Sequence, residues 1–199
     1  MRRPHLIPVS LAGMAILASG ASCNGDSGAN AEPVRHYAIG RAASAGELAK
    51  WKTEIGPDGA GLPPGRGSAE AGATIYKLKC ASCHGVKGEG IAPLYPALVG
   101  RDPKGENFPF ASDPAITRTI GNYWPYATTV FDYVRRAMPQ PQPGSLTDDE
   151  VYALTAWLLA ANQVIPMNAT LDAGALKKVK MPYTDRFVRD DRRGGRDIR

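Results

Sequence analysis

The sequence predicts an all-α domain of about four to five short helices, flanked by an N-terminal extension and a C-terminal tail. Three observations lead there. Apolar residues recur at helical spacing in several separate stretches, two of them opened by a Ser/Thr-x-x-Glu capping box. Most of the 17 prolines and 22 glycines fall outside those stretches, so the connections are irregular loops and not further strands or helices. No internal repeat is visible, and 199 residues with 43% hydrophobic content suit one modest core with extensions.

The chain opens with Arg2 and Arg3, then an apolar stretch from Leu6 to Ala21, then small and polar residues. That is the order of an export signal, and it is too short for a lasting membrane span. The expected division is a signal over 1–31, an extension over 32–67, the helical core over 68–165 and a C-terminal extension with charged tail over 166–199. Two processing points stay open: cleavage after Ala31, or lipid attachment at Cys23, the only route by which a membrane enters this reading. Cleavage after Ala31 removes Arg2, Arg3 and Asp26 and lowers the formal net charge of +5 by one. The mature chain then keeps two cysteines, too close together for a structural disulfide framework, in an oxidising, periplasmic setting.

In the extension, Ser44 and Glu47 form a capping box for a short helix carrying Leu48 and Trp51 on one face, with Trp51 and Ile55 expected against the domain. Turns follow from Gly56 to Gly65. A helix begins after Ser68 and runs to about Cys80, with Ile75 and Tyr76 inward and Gly72 allowing a close crossing. Residues 85–112 are glycine- and proline-rich loop. Asp113-Pro114 predicts an N-cap and a short helix to about Ile120. The next helix spans Ala127 to Ala137, with Val130, Phe131 and Val134 inward, and stops at Met138-Pro139. The last is opened by Thr147 and Glu150 and carries Val151, Leu154, Trp157, Leu158 and Ala161 as a buried stripe. Beyond Pro166 periodicity is lost, and the stretch from Asp185, with six arginines against four aspartates, is a mixed-charge tail unable to order itself alone.

The chemistry sits in Cys80-Ala81-Ser82-Cys83-His84, the attachment pattern for one covalent haem c. Two thiols three residues apart reach two vinyl groups on one porphyrin edge, and the next residue meets the iron. A zinc site needs four ligands, and only Cys80, Cys83, His84 and a distant His36 are on offer after processing. A thioredoxin-like dithiol belongs where a strand enters a helix, whereas the approach to Cys80 has helical period. For the second axial position Met138 is the first candidate, in a stiff proline-rich loop between two helices. Met181 and His36 are its rivals, and Met167 reads as a core gap-filler. Trp124 and Tyr126 can aim N–H and O–H groups at the haem propionates or be plain core, and Arg101 can pair with a propionate or be a solvated charge.

With these residues in place the chain resembles class I cytochromes c. Gly72 and Tyr76 look like that family's pair on the first helix, and Leu154, Trp157 and Leu158 like the matching stripe on the last. Pro96-Ala97-Leu98 resembles the loop supporting the proximal histidine, which implies that the Pro96 carbonyl accepts from His84. Met138-Pro139 with Ser145 to Val151 is similar to the distal methionine loop. A narrower likeness covers most of the mature chain: Ile39-Gly40-Arg41, Pro57 to Gly65, Tyr123-Trp124-Pro125-Tyr126, Phe131-Asp132-Tyr133-Val134, Lys180-Met181-Pro182 and Asp190-Asp191-Arg192 resemble the haem subunit of Sox-type, molybdenum-dependent sulfane or sulfite dehydrogenases. It departs from two-haem members in having a single Cys-x-x-Cys-His. The resemblance implies a haem subunit taking single electrons from such a dehydrogenase and passing them to a downstream cytochrome or oxidase, with no catalysis by this chain alone and no nucleic-acid partner. The other readings are a free-standing shuttle, or a haem enzyme or gas sensor if Met138 does not bind iron.

Overall fold

The structure, a computed structural model, describes residues 39–51, 53–102 and 108–188. The expected export signal, Cys23, His36 and the tail from 189 onward lie outside them. The chain divides into two units, Met1–Ala42 and Ala43–Arg199, and all named elements belong to the second. Of the first, residues 39–42 are irregular chain with a bend at Gly40. Among the described residues no helix is long and apolar enough to cross a membrane.

Among the described residues six α-helices form: α1 Ala45–Trp51, α2 Ala69–Lys79, α3 Ala81–His84, α4 Ala127–Ala137, α5 Asp148–Ala161 and α6 Ala173–Lys177. The helical class is as expected, with one addition. Two three-residue strands, β1 Arg66–Ser68 and β2 Thr170–Asp172, pair antiparallel with Gly67 opposite Leu171.

Helix α5 is the axis of the core. Its capping box is complete, with Thr147 Oγ1 accepting from Glu150 N and the Glu150 carboxylate accepting from Thr147 N at 2.9 Å. Every residue from Val151 to Ala160 is buried, because α2, α4 and the β1–β2 pair enclose it on different sides. Helix α2, capped by Ser68 on Ala71 N, crosses α5 at Gly72, where a Cβ would overlap the Ala153 carbonyl and stand 2.8 Å from Trp157 Cβ. One turn later Tyr76 stacks on Trp157 with ring centroids 3.8 Å apart. Such a pair contributes about 0.5–1.5 kcal/mol beyond its buried area. On another side of α5, Phe131 of α4 meets Tyr152 at 4.5 Å.

Helix α1 forms with its reciprocal Ser44–Glu47 cap, yet Leu48 and Trp51 are 53% and 83% exposed. The expected packing of Trp51 against the domain is therefore corrected. The anchor comes later, at Ile55, which is buried and donates its N–H to Asp132 Oδ1 at 2.8 Å, while Tyr152 Oη donates to Pro63 O.

The helix expected from Asp113 to Ile120 is a turn. Asp113 Oδ1 takes the Ala115 N–H at 2.9 Å, and buried Asn122 accepts from Thr119 N and donates to Thr117 O and Asp102 O. Side chains satisfy these backbone groups, so no i to i−4 ladder is needed. Beyond Pro166 the chain is structured: Leu171 and Leu176 are buried, Asp172 caps α6 on Ala175 N, and Met181 and Tyr183 enter the core. Phe187 then joins a ring cluster with Phe108 and Tyr123 at 5.5 and 5.3 Å. Met167 is 48% exposed and fills no core gap.

Candidate cofactor site

Helix α2 ends at Lys79, and Cys80 (φ −126°) breaks its direction while keeping a bond from its N–H to Tyr76 O at 2.9 Å. The single turn α3 follows, with the N–H groups of Cys83 and His84 both donating to Cys80 O at 3.1 and 2.9 Å. Cys80, Cys83 and His84 are thus fixed within one turn. The turn is held from below by Tyr76, buried, whose hydroxyl donates to Gly85 O at 2.9 Å.

Both thiols are free and half-buried. Burial pushes the Cys80 thiol up to about 11 against the opposing pull of Lys79. A reactive or metal-binding dithiol needs the opposite, a lowered pKa and a thiolate. Among the described residues no group of three or more His, Cys, Asp or Glu side chains could hold a metal ion. The approach to Cys80 is helix α2 and not a strand entering a helix, so the thioredoxin-like setting is absent.

His84 Nδ1 lies 3.0 Å from Pro96 O. A carbonyl only accepts, so Nδ1 carries the proton and the Nε2 lone pair is available to a metal. The loop that brings Pro96 round is tight: Leu98 N and Val99 N donate to Gly88 O, and Gly90 N donates to His84 O. Gly90 has φ +79°, and a Cβ there would stand 2.5 Å from Ala97 N, so the neighbouring segment can approach only a glycine. Tyr95 packs edge-on to His84 with centroids 6.3 Å apart, and its hydrogen bond with Cys83 raises its pKa.

Met138 is the C-cap of α4, with extended backbone, an N–H bonded to Val134 O, and a half-buried side chain against the core. A shallow cavity of about 320 Å³ lined by Lys79, Pro139, Pro141, Gln142 and Ser145 sets this loop beside the residue preceding Cys80. Lys79 is fixed there by Glu150 at 2.6 Å, and that contact holds the Glu150 carboxyl below the usual carboxylate range. Of the rival sulfurs, Met181 is 5% exposed within the core cluster.

The aromatic candidates are placed differently. Trp124 Nε1 donates to Thr129 Oγ1 at 2.8 Å, so a propionate contact from this indole would have to displace that bond. Tyr126 precedes α4 and lines a groove with Pro57, Leu176, Lys180 and Met181, with no hydrogen-bond partner for its hydroxyl among the described residues. Arg101 is half-buried and donates to Asn162 O at 3.3 Å. The structure brings Cys80, Cys83, His84 and Pro96 together and sets the loop that follows Met138 beside Lys79. No contact joins Trp124 or Tyr126 to that group.

These residues fit a covalent porphyrin. Two reduced thiols and an imidazole with a free Nε2 share one turn, and half-buried Cys80, Ala81, Leu98, Trp124 and Met138 all pack against the core while staying partly open. Sequence reasoning missed Tyr95, and also Asn122 and Asn162, two buried amides that pin the loop behind His84. Their only signal is a lone polar residue in a loop or ending an apolar stripe.

The family model for cytochrome c matches residues 69–162. Among solved structures, a chain of the sulfane dehydrogenase SoxCD from Paracoccus pantotrophus is 38% identical, with a TM-score of 0.65 over 78% of this chain and 73% of that one. A chain of the thiosulfate dehydrogenase TsdBA from Marichromatium purpuratum is 23% identical, with a TM-score of 0.36 over 51% of this chain and 21% of that one. No curated protein matches.

Proposed function

The chain belongs to the cytochrome c family, whose members carry a covalent c-type haem, and from that premise we propose that it is a periplasmic electron-transfer subunit. Its donor in this proposal is a molybdenum-containing sulfane or sulfite dehydrogenase, and its acceptor a downstream cytochrome or oxidase. The 38% identity to a chain of SoxCD supports the donor class. The leader-like segment ahead of residue 32 supports export.

When bound, the haem supplies a one-electron iron couple. Cys80 and Cys83 anchor it as thioethers, so a small domain holds a large cofactor without a deep pocket. His84 offers Nε2 while Pro96 fixes its tautomer and ring orientation, and that hydrogen bond raises the imidazole's basicity. Met138 offers a thioether from the opposite loop. Met181 is less suited, because its burial in the core satisfies its sulfur by packing. With His84 and Met138 both holding the iron, small molecules would be excluded and outer-sphere transfer would remain. Trp124 and Tyr126 stay candidates for a propionate contact: Trp124 lies half-open on the core with Cys80 and Leu98 but has its N–H on Thr129, and Tyr126 has a hydroxyl not engaged among the described residues but lines another groove. The observation that carries the reading is the 3.0 Å contact of His84 Nδ1 with Pro96 O in the turn that holds both thiols.

Replacing Met138 with alanine is expected to abolish the thioether charge-transfer band of the ferric protein and to open the reduced protein to rapid carbon monoxide binding. An unchanged band would remove Met138 from the role. Rapid, complete carbon monoxide binding by the unaltered protein would favour a haem enzyme or sensor instead. For the donor, a purified molybdenum sulfane or sulfite dehydrogenase supplied with its sulfur substrate is expected to reduce the chain stoichiometrically, and no reduction would discard this partner class.

A further inference from the structure

We infer that Asn162, at the end of α5, is a positioning residue for the iron-binding histidine. It holds the irregular segment 98–100 so that the Pro96 carbonyl stays on His84 Nδ1. This inference rests on the proposal that His84 binds haem iron.

Asn162 is fully buried and uses its amide in three directions. Nδ2 donates to Leu98 O at 3.1 Å and to Leu158 O at 2.8 Å, and Oδ1 accepts from Gly100 N at 2.9 Å. Its backbone N–H donates to Leu158 O as well, so the side chain is fixed relative to α5, the most rigidly packed element of the core. No freedom exists on the other side: a Cβ at Gly121 would overlap Asn162 Oδ1. Leu98 and Gly100 therefore cannot move away from α5 without abandoning buried polar groups, which is costly.

Leu98 is two residues beyond Pro96, and the intervening chain is confined. Leu98 N is bonded to Gly88 O, and Gly90 lies against the peptide between Pro96 and Ala97. The load path runs from α5 through Asn162 to Leu98, along the backbone to Pro96 O, and across 3.0 Å to the imidazole. Ile120 N still donates to Leu98 O at 3.1 Å and Thr119 Oγ1 to Gly100 O at 2.7 Å, so loss of Asn162 loosens this segment without freeing it, and the Nδ1–H···O contact lengthens. A weaker contact makes the imidazole less basic, and a less basic ligand stabilises ferric iron less than ferrous. The reduction potential should rise.

The experiment compares holo-protein variants. Asn162→Ala is expected to shift the ferric-to-ferrous equilibrium about threefold toward ferrous, a rise of about 30 mV at 59 mV per tenfold for one electron. In the reduced protein, NMR should show faster solvent exchange of the His84 Nδ1 proton. Thr128→Ala is the control, because Thr128 is likewise buried and spends its hydroxyl on Pro57 O at 3.1 Å, with no bond to residues 96–100 or to Thr119, Ile120 and Asn122 that also hold them. It should lower stability and leave the potential unmoved. Asn162→Ser, a milder change, should raise the potential in the same direction and is read by the same criterion if the alanine variant fails to fold. An unmoved potential in the Asn162 variants, or an equal rise in Thr128→Ala, overturns the inference. In that event the wild-type haem spectrum is normal, whereas failure of the underlying haem reading removes the spectrum from the wild-type chain itself.

Discussion

A chain in which Cys80 and Cys83 are both serine, made in a host competent for cytochrome maturation, is expected to emerge with no covalently bound haem and at the mass of the bare polypeptide. The two thiols are the only cysteines among the described residues and sit in one turn with His84, so no neighbouring sulfur can substitute. Hydroxyls do not form the thioether bonds. The effect reaches beyond the cofactor. Cys80, Ala81, Leu98, Trp124 and Met138 lie half-open on the core, and without a porphyrin their apolar surface stays in water, losing roughly 25 cal/mol for each Å² that would have been covered. The double variant should therefore also unfold at lower denaturant than wild type. Haem staining of a denaturing gel and intact mass measure the first effect. Haem that stays with the polypeptide through denaturation would refute the attachment assigned to these residues.

The second large effect is expected at the helix crossing. Gly72→Val would drive a branched side chain into the Ala153 carbonyl and Trp157 Cβ, and the obstacle is largely backbone, which no rotamer change relieves. Overpacking of a core usually costs about 1–3 kcal/mol and occasionally more, and a backbone clash belongs at or above the top of that range. Pushing α2 off α5 also parts Tyr76 from Trp157, forfeiting about 0.5–1.5 kcal/mol of ring interaction. Tyr76 in turn holds Gly85 O, so the turn bearing His84 loosens with it. Denaturant unfolding of the holo-protein should show a loss of about 3 kcal/mol or more, judged by the same overpacking range. Gly46→Ala is the contrasting case: it lies in α1 with nothing within 4 Å of a Cβ, and should be neutral or stabilise by up to about 1 kcal/mol. A Gly72→Val protein as stable as wild type would mean that α2 and α5 do not cross as closely as they do here.

Much of the fold was written in local chemistry. The ends of α4 and α5, the caps at Ser44, Ser68 and Thr147, and the burial of Val130, Phe131, Val134 and Leu154 follow from signals within a few residues of each position. The predicted helix at Asp113 failed for the complementary reason. Its cap signal was real, since Asp113 does take a nearby N–H, but Asn122 offered the backbone better partners from outside the window, and the Arg118 side chain turned onto the Phe110 and Tyr123 rings. The same holds for Trp51: its helix formed, while the anchor of the extension was Ile55 on Asp132, 77 residues away.

By itself, then, the sequence determined the helical class, the attachment pattern Cys80 to His84 and the helices that carry it, because caps, periodicity and a five-residue motif act through the nearest turns of chain. Only the tertiary structure decided that β1 pairs with β2, that Phe187 closes on Phe108 and Tyr123, and that Asn162 reaches the segment behind His84. Three-residue strands and single buried amides have no period to read. Their free energy comes from partners tens of residues distant, which exist only once the core around α5 has formed.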